Sequence, residues 1–180
     1  IIRTSKLSGI YEVLRFETTL ELQDTRGQLA TVKKREHVRY LQDNVIAYHD
    51  QAWGDGDILV DYQCTPGIPS DCYVIDTKTY VLISLRQVRN KGDTDEYNMQ
   101  WKINNGFMHQ VESWGTNIKY PTRDLTVKII FPEFRPPSKI RVTDSDETQS
   151  FQHELSRTQL PDGRWQLTWS SQKPKTLKTY

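Results

Sequence analysis

Apolar and polar residues alternate along much of this chain with a period of two. In "VLRFETTLEL", Leu14, Phe16, Leu20 and Leu22 fall on one face, and Arg15, Glu17, Thr19 and Glu21 on the other. That is the pattern of a half-buried antiparallel strand. The alternation returns in "YNMQWKI" (Tyr97, Met99, Trp101, Ile103), "LTVKIIF" (Leu125, Val127, Ile129, Phe131) and "WQLTW" (Trp165, Leu167, Trp169). It predicts that Trp101 and Trp169 are core residues. "YVLISL", residues 80–85, is more continuously apolar and predicts a central strand buried on both faces.

Turn signals punctuate these runs at Asp24–Gly27, Asp55–Gly56, Asp76–Thr79, Lys91–Asp93, Asn105–Gly106, Pro121–Asp124 and Asp162–Gly163. "PEFRPPS", residues 132–138, reads as a connection, because proline cannot sit in a central strand. Many short strands with frequent turns predict an all-β fold with little helix. An antiparallel β-sandwich is the first expectation and a β-barrel the alternative.

One segment, "TVKKREHVRYLQDN", fits two patterns. Val38, Leu41 and Val45 stand at helical spacing, while Val38 and Tyr40 share one face of a strand. The preceding turn favours the strand. A three-residue loop, Thr25–Arg26–Gly27 with Gly27 left-handed, sets Leu14 opposite Val38, Leu20 opposite Val32, Leu22 opposite Ala30 and Glu17 opposite Arg35.

Composition bounds the rest. The 180 residues suit one domain, residues 1–180, with a sizeable core. Mean hydropathy is −0.71, yet five Trp, nine Tyr and five Phe argue against disorder. With 24 Lys+Arg against 23 Asp+Glu, net charge does not favour nucleic acid as a partner. No apolar run is long enough to span a membrane, and no signal peptide is recognised. The chain starts at Ile1, which suggests a processed protein or a module of a longer one. A cytoplasmic setting is expected, with Cys64 and Cys72 reduced, although the short loop between them leaves a bridge geometrically open.

Candidate chemistry centres on "HDQAWGDGDILVDY", residues 49–62. Asp55–Gly56 signals a hairpin tip. A two-residue loop would oppose Asp50 and Asp61, which like charge disfavours. A three-residue loop, Gly54–Asp55–Gly56, sets His49 opposite Asp61 and Tyr48 opposite Tyr62, and predicts a raised His49 pKa. The reading is a hairpin without a bound cation; the alternative is a metal site on His49, Asp50 and Asp61. Lys33, Arg35, His37 and Arg39 line one face of their strand and could meet a nucleotide or acidic peptide. A solvated face paired with Glu17 and Glu21 is the simpler reading. Trp53 and Trp114 each precede a glycine and could offer a ring to a sugar or peptide.

No Gly-x-Ser-x-Gly or His-Glu-x-x-His occurs, no glycine-rich phosphate loop follows a strand, and His37, His49, His109 and His153 are scattered. No catalytic residue and no cofactor is therefore assigned. Residues 41–57, "LQDNVIAYHDQAWGDGD", resemble β-rich modules of multidomain bacterial proteins, a resemblance that implies no mechanism. The expectation is a non-catalytic recognition module that binds a protein partner, an adjacent domain or a small ligand. A carbohydrate-binding module is one alternative. An enzyme or metal-binding protein built on His49, Asp50 and Asp61 is the other.

Overall fold

A computed structural model describes residues 9–145 and 155–180; His153 lies outside them. The structure is 60% strand and 1% helix. Among the described residues, ten strands form in chain order: β1 (Tyr11–Leu22), β2 (Leu29–Tyr40), β3 (Val45–Ala52), β4 (Asp57–Thr65), β5 (Ile68–Ile75), β6 (Lys78–Arg89), β7 (Thr94–Asn104), β8 (Thr122–Phe131), β9 (Ser156–Gln159) and β10 (Trp165–Gln172). Seven make a large sheet in the order β4-β7-β2-β1-β8-β10-β9, and three make a small sheet, β3-β6-β5. No barrel closes; the two sheets pack as a sandwich.

The β1–β2 hairpin shows how the alternation becomes a layer. Leu20 pairs with Val32, Leu22 with Ala30 and Glu17 with Arg35, and Gly27 has φ 76° at the tip. One expected pair differs: a bulge between Val13 and Arg15 makes Val13, not Leu14, the partner of Val38. The bulge inserts a residue and switches the face of those before it, so Tyr11 and Val13 join Phe16 in the core. The ambiguous segment after Thr31 is strand throughout β2.

The large sheet is mixed, because β1 pairs in parallel with β8 across the intervening β2–β7 excursion. On its inner face Tyr97, Met99, Trp101 and Ile103 are all buried, and Trp169 joins them from β10. β6 is central in the small sheet, but only one of its faces is fully buried. Val81, Ile83 and Leu85 point inward, whereas Leu82 is half-buried on the outer side. The three-stranded layer is thus covered on one side only, where an all-apolar run predicted two.

The small sheet covers only part of the large one. Residues 116–118 and 177–180 cover more of it, tied by bonds from Thr116 N to Tyr180 O and from Ile118 N to Lys178 O, each 2.8 Å. Tyr180 stacks on Trp169 at 5.3 Å between ring centroids. The C-terminal tail is therefore bonded into the fold.

The Asp55–Gly56 turn does not close a hairpin. β3 pairs with β6, and β4 pairs with β7 on the edge of the large sheet, so the turn carries the chain from one layer to the other. Gly56 has φ 77°, and a Cβ there would lie 2.1 Å from the carbonyl oxygen of Asn104. Gly56→Asn and Gly56→Val are both expected to lower stability by more than about 1 kcal/mol. Thermal melts check this; a near-neutral Gly56→Asn would show that only φ, and not space, constrains the site.

Candidate functional site

The basic stripe predicted on β2 lies on the solvent face of the large sheet, and acidic neighbours cover it. Lys33 stands 3.9 Å from Glu21, and Arg35 donates to Glu96 at 2.8 Å. Arg39 pairs with Glu12, which also meets Arg123 at 3.4 Å. His37 sits beside Glu96 in the β2–β7 register. The hydrogen bond and charge of Arg35 hold the Glu96 carboxyl below its ordinary value. Such exposed pairs add little to stability, but they neutralise the stripe.

His49, Asp50 and Asp61 do not meet. Neighbouring residues of a strand point to opposite faces, so β3 sends His49 outward opposite Leu82 and Asp50 inward opposite Val81. Asp61 lies on edge strand β4 and binds Lys102 at 2.6 Å. The expected pairing of His49 with Asp61, and of Tyr48 with Tyr62, fails because β3 and β4 belong to different sheets. Among the described residues, no three His, Cys, Asp or Glu side chains are grouped to hold a metal ion.

The sign of the His49 shift reverses as a result. Burial, and then the charge of Lys119, lower its pKa below the ordinary 6.5. With the folded value below the unfolded one, the neutral ring's contribution to stability is present above pH 6.5 and is lost as pH falls through the folded pKa. An NMR titration of the His49 ring is expected to give a midpoint below 6.5; a midpoint above it would restore a carboxylate partner.

The sandwich interior holds a polar cluster that the alternation pattern did not single out. Lys34 and Glu36 of β2 point into the core, and Asp50 of β3 meets them from the other sheet. The Lys34 ammonium donates to Asp50 and stands 3.4 Å from Glu36. Tyr48 donates to Glu36, and Tyr62 donates to Asp50 at 2.8 Å. Burial pushes the Glu36 carboxyl up, against the pull of Lys34. Lys34 is itself raised: Asp50 and Glu36 outweigh the desolvation that would lower it.

Tyrosines extend the cluster. Tyr48 stacks between Tyr97 (4.0 Å) and Tyr11 (5.1 Å), Tyr11 donates to Tyr120 at 2.8 Å, and the Tyr40 and Tyr97 hydroxyls meet at 2.6 Å. Burial pushes the Tyr120 hydroxyl up to about 12. Burial, and then the charge of Asp50, likewise push the half-buried Cys64 thiol up to about 12, which leaves it of low reactivity. Cys64 and Cys72 are both free.

Two clefts, each with a cavity of about 30 Å³, open beside Lys34. Trp53, Trp101 and Trp114 line one, and His49, Lys119 and Tyr120 line the other; Gln51 and Asn117 line both. Trp53 and Trp114 thus share a cleft, as a common site would require. They lie half-buried on the other side of the large sheet from Lys33, Arg35, His37 and Arg39, so the six residues do not form one surface. The inward set Lys34, Glu36 and Asp50 was missed, although the hairpin register carries its signal. Once Val32 and Val38 point inward, strand parity sends residues 34 and 36 inward too.

No family model matches this chain. No curated protein matches it either. Solved structures do share its fold. An M1 zinc metallopeptidase from Deinococcus radiodurans is similar over 94% of this chain and 41% of its own, with a TM-score of 0.56 and 12% identity. Aminopeptidase A of Legionella pneumophila is similar over 94% of this chain and 21% of its own, with a TM-score of 0.50 and 13% identity. This chain therefore spans well under half the length of either protein. At such identities the likeness is one of fold.

Proposed function

We propose that residues 1–180 form one non-catalytic β-sandwich module that packs against an adjacent domain of a longer, multidomain protein. The observation that supports this reading is the asymmetry of the fold match: nearly the whole of this chain resembles 41% or less of larger peptidase chains. The chain also lacks the His-Glu-x-x-His pair that zinc peptidases of this kind use. Its inner cluster of Lys34, Glu36 and Asp50 is satisfied within the protein, with each carboxylate already bonded to protein groups. A reducing, cytoplasmic setting belongs to the same proposal, in keeping with the two free thiols.

Apolar side chains left in solvent supply surface for such packing. Val111 and Phe134 are 89% and 84% exposed, and Arg135 ties their segments together by donating to Phe107 O at 2.9 Å. Hydrogen exchange on the native full-length gene product and on the isolated 180-residue chain tests the reading. Slower exchange in the longer protein is expected around residues 107–111 and 133–135. Identical exchange throughout, or peptidase turnover by the isolated chain, would overturn it.

A further inference from the structure

Among the described residues the two sheets end in four edge strands, β4, β9, β3 and β5. Three of them are blunted. β9 is only four polar residues long. β4 shifts register on both sides of Val60, with Leu59 and Asp61 at positive φ. β3 stands against Asn117, Ile118 and Lys119, which line a cleft with its His49, Asp50 and Gln51. Short, bulged or covered edges of this kind resist pairing with another chain. β5 is different. Its register on β6 runs unbroken from Asp71 to Ile75, and Asp71 is its one charged residue. It is exposed almost from end to end. Cys72 lies opposite inward-facing Val81, and Val74 shares its side, yet both are exposed, Val74 by 68%. β5 therefore overhangs the layer beneath it. Ile75, on the outer side, is 52% exposed.

The pairing with β6 fixes which backbone groups of β5 face away from the sheet. Asp76–Thr77 is a two-residue turn closed by Ile75 and Lys78, so that pair is hydrogen-bonded. Bonded and non-bonded pairs alternate along an antiparallel ladder. Tyr73 therefore bonds to Tyr80, while Cys72 and Val74 turn their N–H and C=O groups outward. The Cys72 amide accordingly donates to the Asp71 side chain at 2.8 Å, not to β6. A row of outward backbone groups between exposed apolar side chains fits another extended strand.

We propose that this strand is β5 of a second copy, paired antiparallel about a two-fold axis at Tyr73. Cys72 then faces the partner's Val74, and Val74 the partner's Cys72, so the outward groups meet as two hydrogen-bonded pairs. Tyr73 faces the partner's Tyr73, which extends the Tyr73–Tyr80 stack, 5.5 Å between centroids, into a ladder of four rings. Asp71 faces the partner's Ile75. That Ile75 stands beside Lys78 of its own chain, so the row across both sheets carries opposite charges. Other registers fit less well. A parallel pairing in register sets Asp71 beside Asp71, and like charges directly opposite repel. An axis at Cys72 sets Val74 opposite the partner's Ser70, in the irregular end of the strand beside Pro69. The two-fold pair leaves neither β5 edge open, so association through it stops at two copies. The inference goes beyond the packing of the module on a neighbouring domain and uses other residues.

Analytical ultracentrifugation of the 180-residue chain over a concentration series, with reductant, tests it. A monomer–dimer equilibrium is expected, with a dissociation constant of about 10 μM–1 mM, since the contact is smaller than a standard interface. Val74→Pro removes an outward amide that β6 does not use, and Val74→Lys places a charge on the edge without a backbone change. Each should weaken the dimer at least about tenfold, the effect of losing one or two hydrogen bonds. Unchanged melting of the dilute variants separates lost association from lost folding. Phe134→Ser should leave the dimer as it is. In a Cys64→Ser/Cys72→Ser background, Tyr73→Cys should oxidise to a disulfide-linked dimer, because facing Cα atoms of a non-bonded pair lie about 4.5 Å apart; Asp71→Cys should not. A chain still monomeric at about 1 mM, or a dimer unaffected by both Val74 variants, would overturn the proposal. Cross-linking through Asp71→Cys and not through Tyr73→Cys would overturn its register.

Discussion

Lys34→Met is expected to lower the unfolding free energy by about 3–5 kcal/mol at neutral pH, the range for removing one partner of a buried ion pair. The side chain of Lys34 is only 9% exposed, and that of Asp50 only 1%. Methionine nearly matches lysine in volume, so the loss would come from charge and not from a cavity. Glu36 and Asp50 would be left facing each other in the core without a cation. The Tyr48 and Tyr62 hydroxyls would still donate to them, but hydrogen bonds from neutral donors offset only part of the desolvation.

The pH dependence of that loss identifies its cause. The Glu36 carboxyl already lies above its ordinary value of 4.5 in the native protein. A carboxyl raised in the folded state favours folding below the unfolded pKa, and this contribution is lost as pH rises through the folded value. Removing Lys34 removes the main opposing pull, so the destabilisation should grow as pH rises above about 4.5 and shrink on acidification. Urea melts at several pH values read it. A pH-independent loss would assign the effect to packing. The triple variant Lys34→Met/Glu36→Leu/Asp50→Leu should be less destabilised than Lys34→Met alone at neutral pH, because it buries no charge.

Trp101→Ala is expected to cost about 3–5 kcal/mol, as for other large aromatics cut from a core. Trp101 is 4% exposed, its ring stacks with Tyr62 at 5.8 Å between centroids, and the Lys34 ammonium sits 5.9 Å from it. The alanine variant would therefore open a cavity next to the polar cluster and admit water to it. Trp101→Phe should cost much less: the indole Nε1 is buried and unbonded in the native structure, so phenylalanine loses volume but no hydrogen bond. Urea midpoints of the two variants check this. A loss below about 1 kcal/mol for Trp101→Ala would place the ring at the surface.

Local pattern determined the strands. Each outward residue of a half-buried strand must be polar and each inward one apolar, so Tyr97, Met99, Trp101 and Ile103 declare β7 and its buried face without any knowledge of its neighbours. The β1–β2 register was legible from the turn back to Arg15, since a three-residue turn fixes which residues face each other, but the bulge beyond it was not. The same logic failed where it assumed that consecutive strands pair. β3 and β4 are joined by as strong a turn signal as any in the chain, yet they part into separate layers. That choice is settled by what each strand can pair with elsewhere, β6 and β7, and not by the turn between them.

The candidate sites divide the same way. The basic stripe on β2 was visible as alternation, and its cover was partly visible as Glu17 and Glu21; Glu12 and Glu96 arrive from distant positions through the sheet. The buried Lys34, Glu36 and Asp50 cluster needs two strands from different sheets. Sequence alone determined that this chain is all-β with Trp101 and Trp169 in its core, because burial periodicity is written residue by residue; the choice of sandwich over barrel came with the packing of the sheets. Only the tertiary structure decided which charges meet, because ionic contacts act over a few ångströms in space and leave no period along the chain.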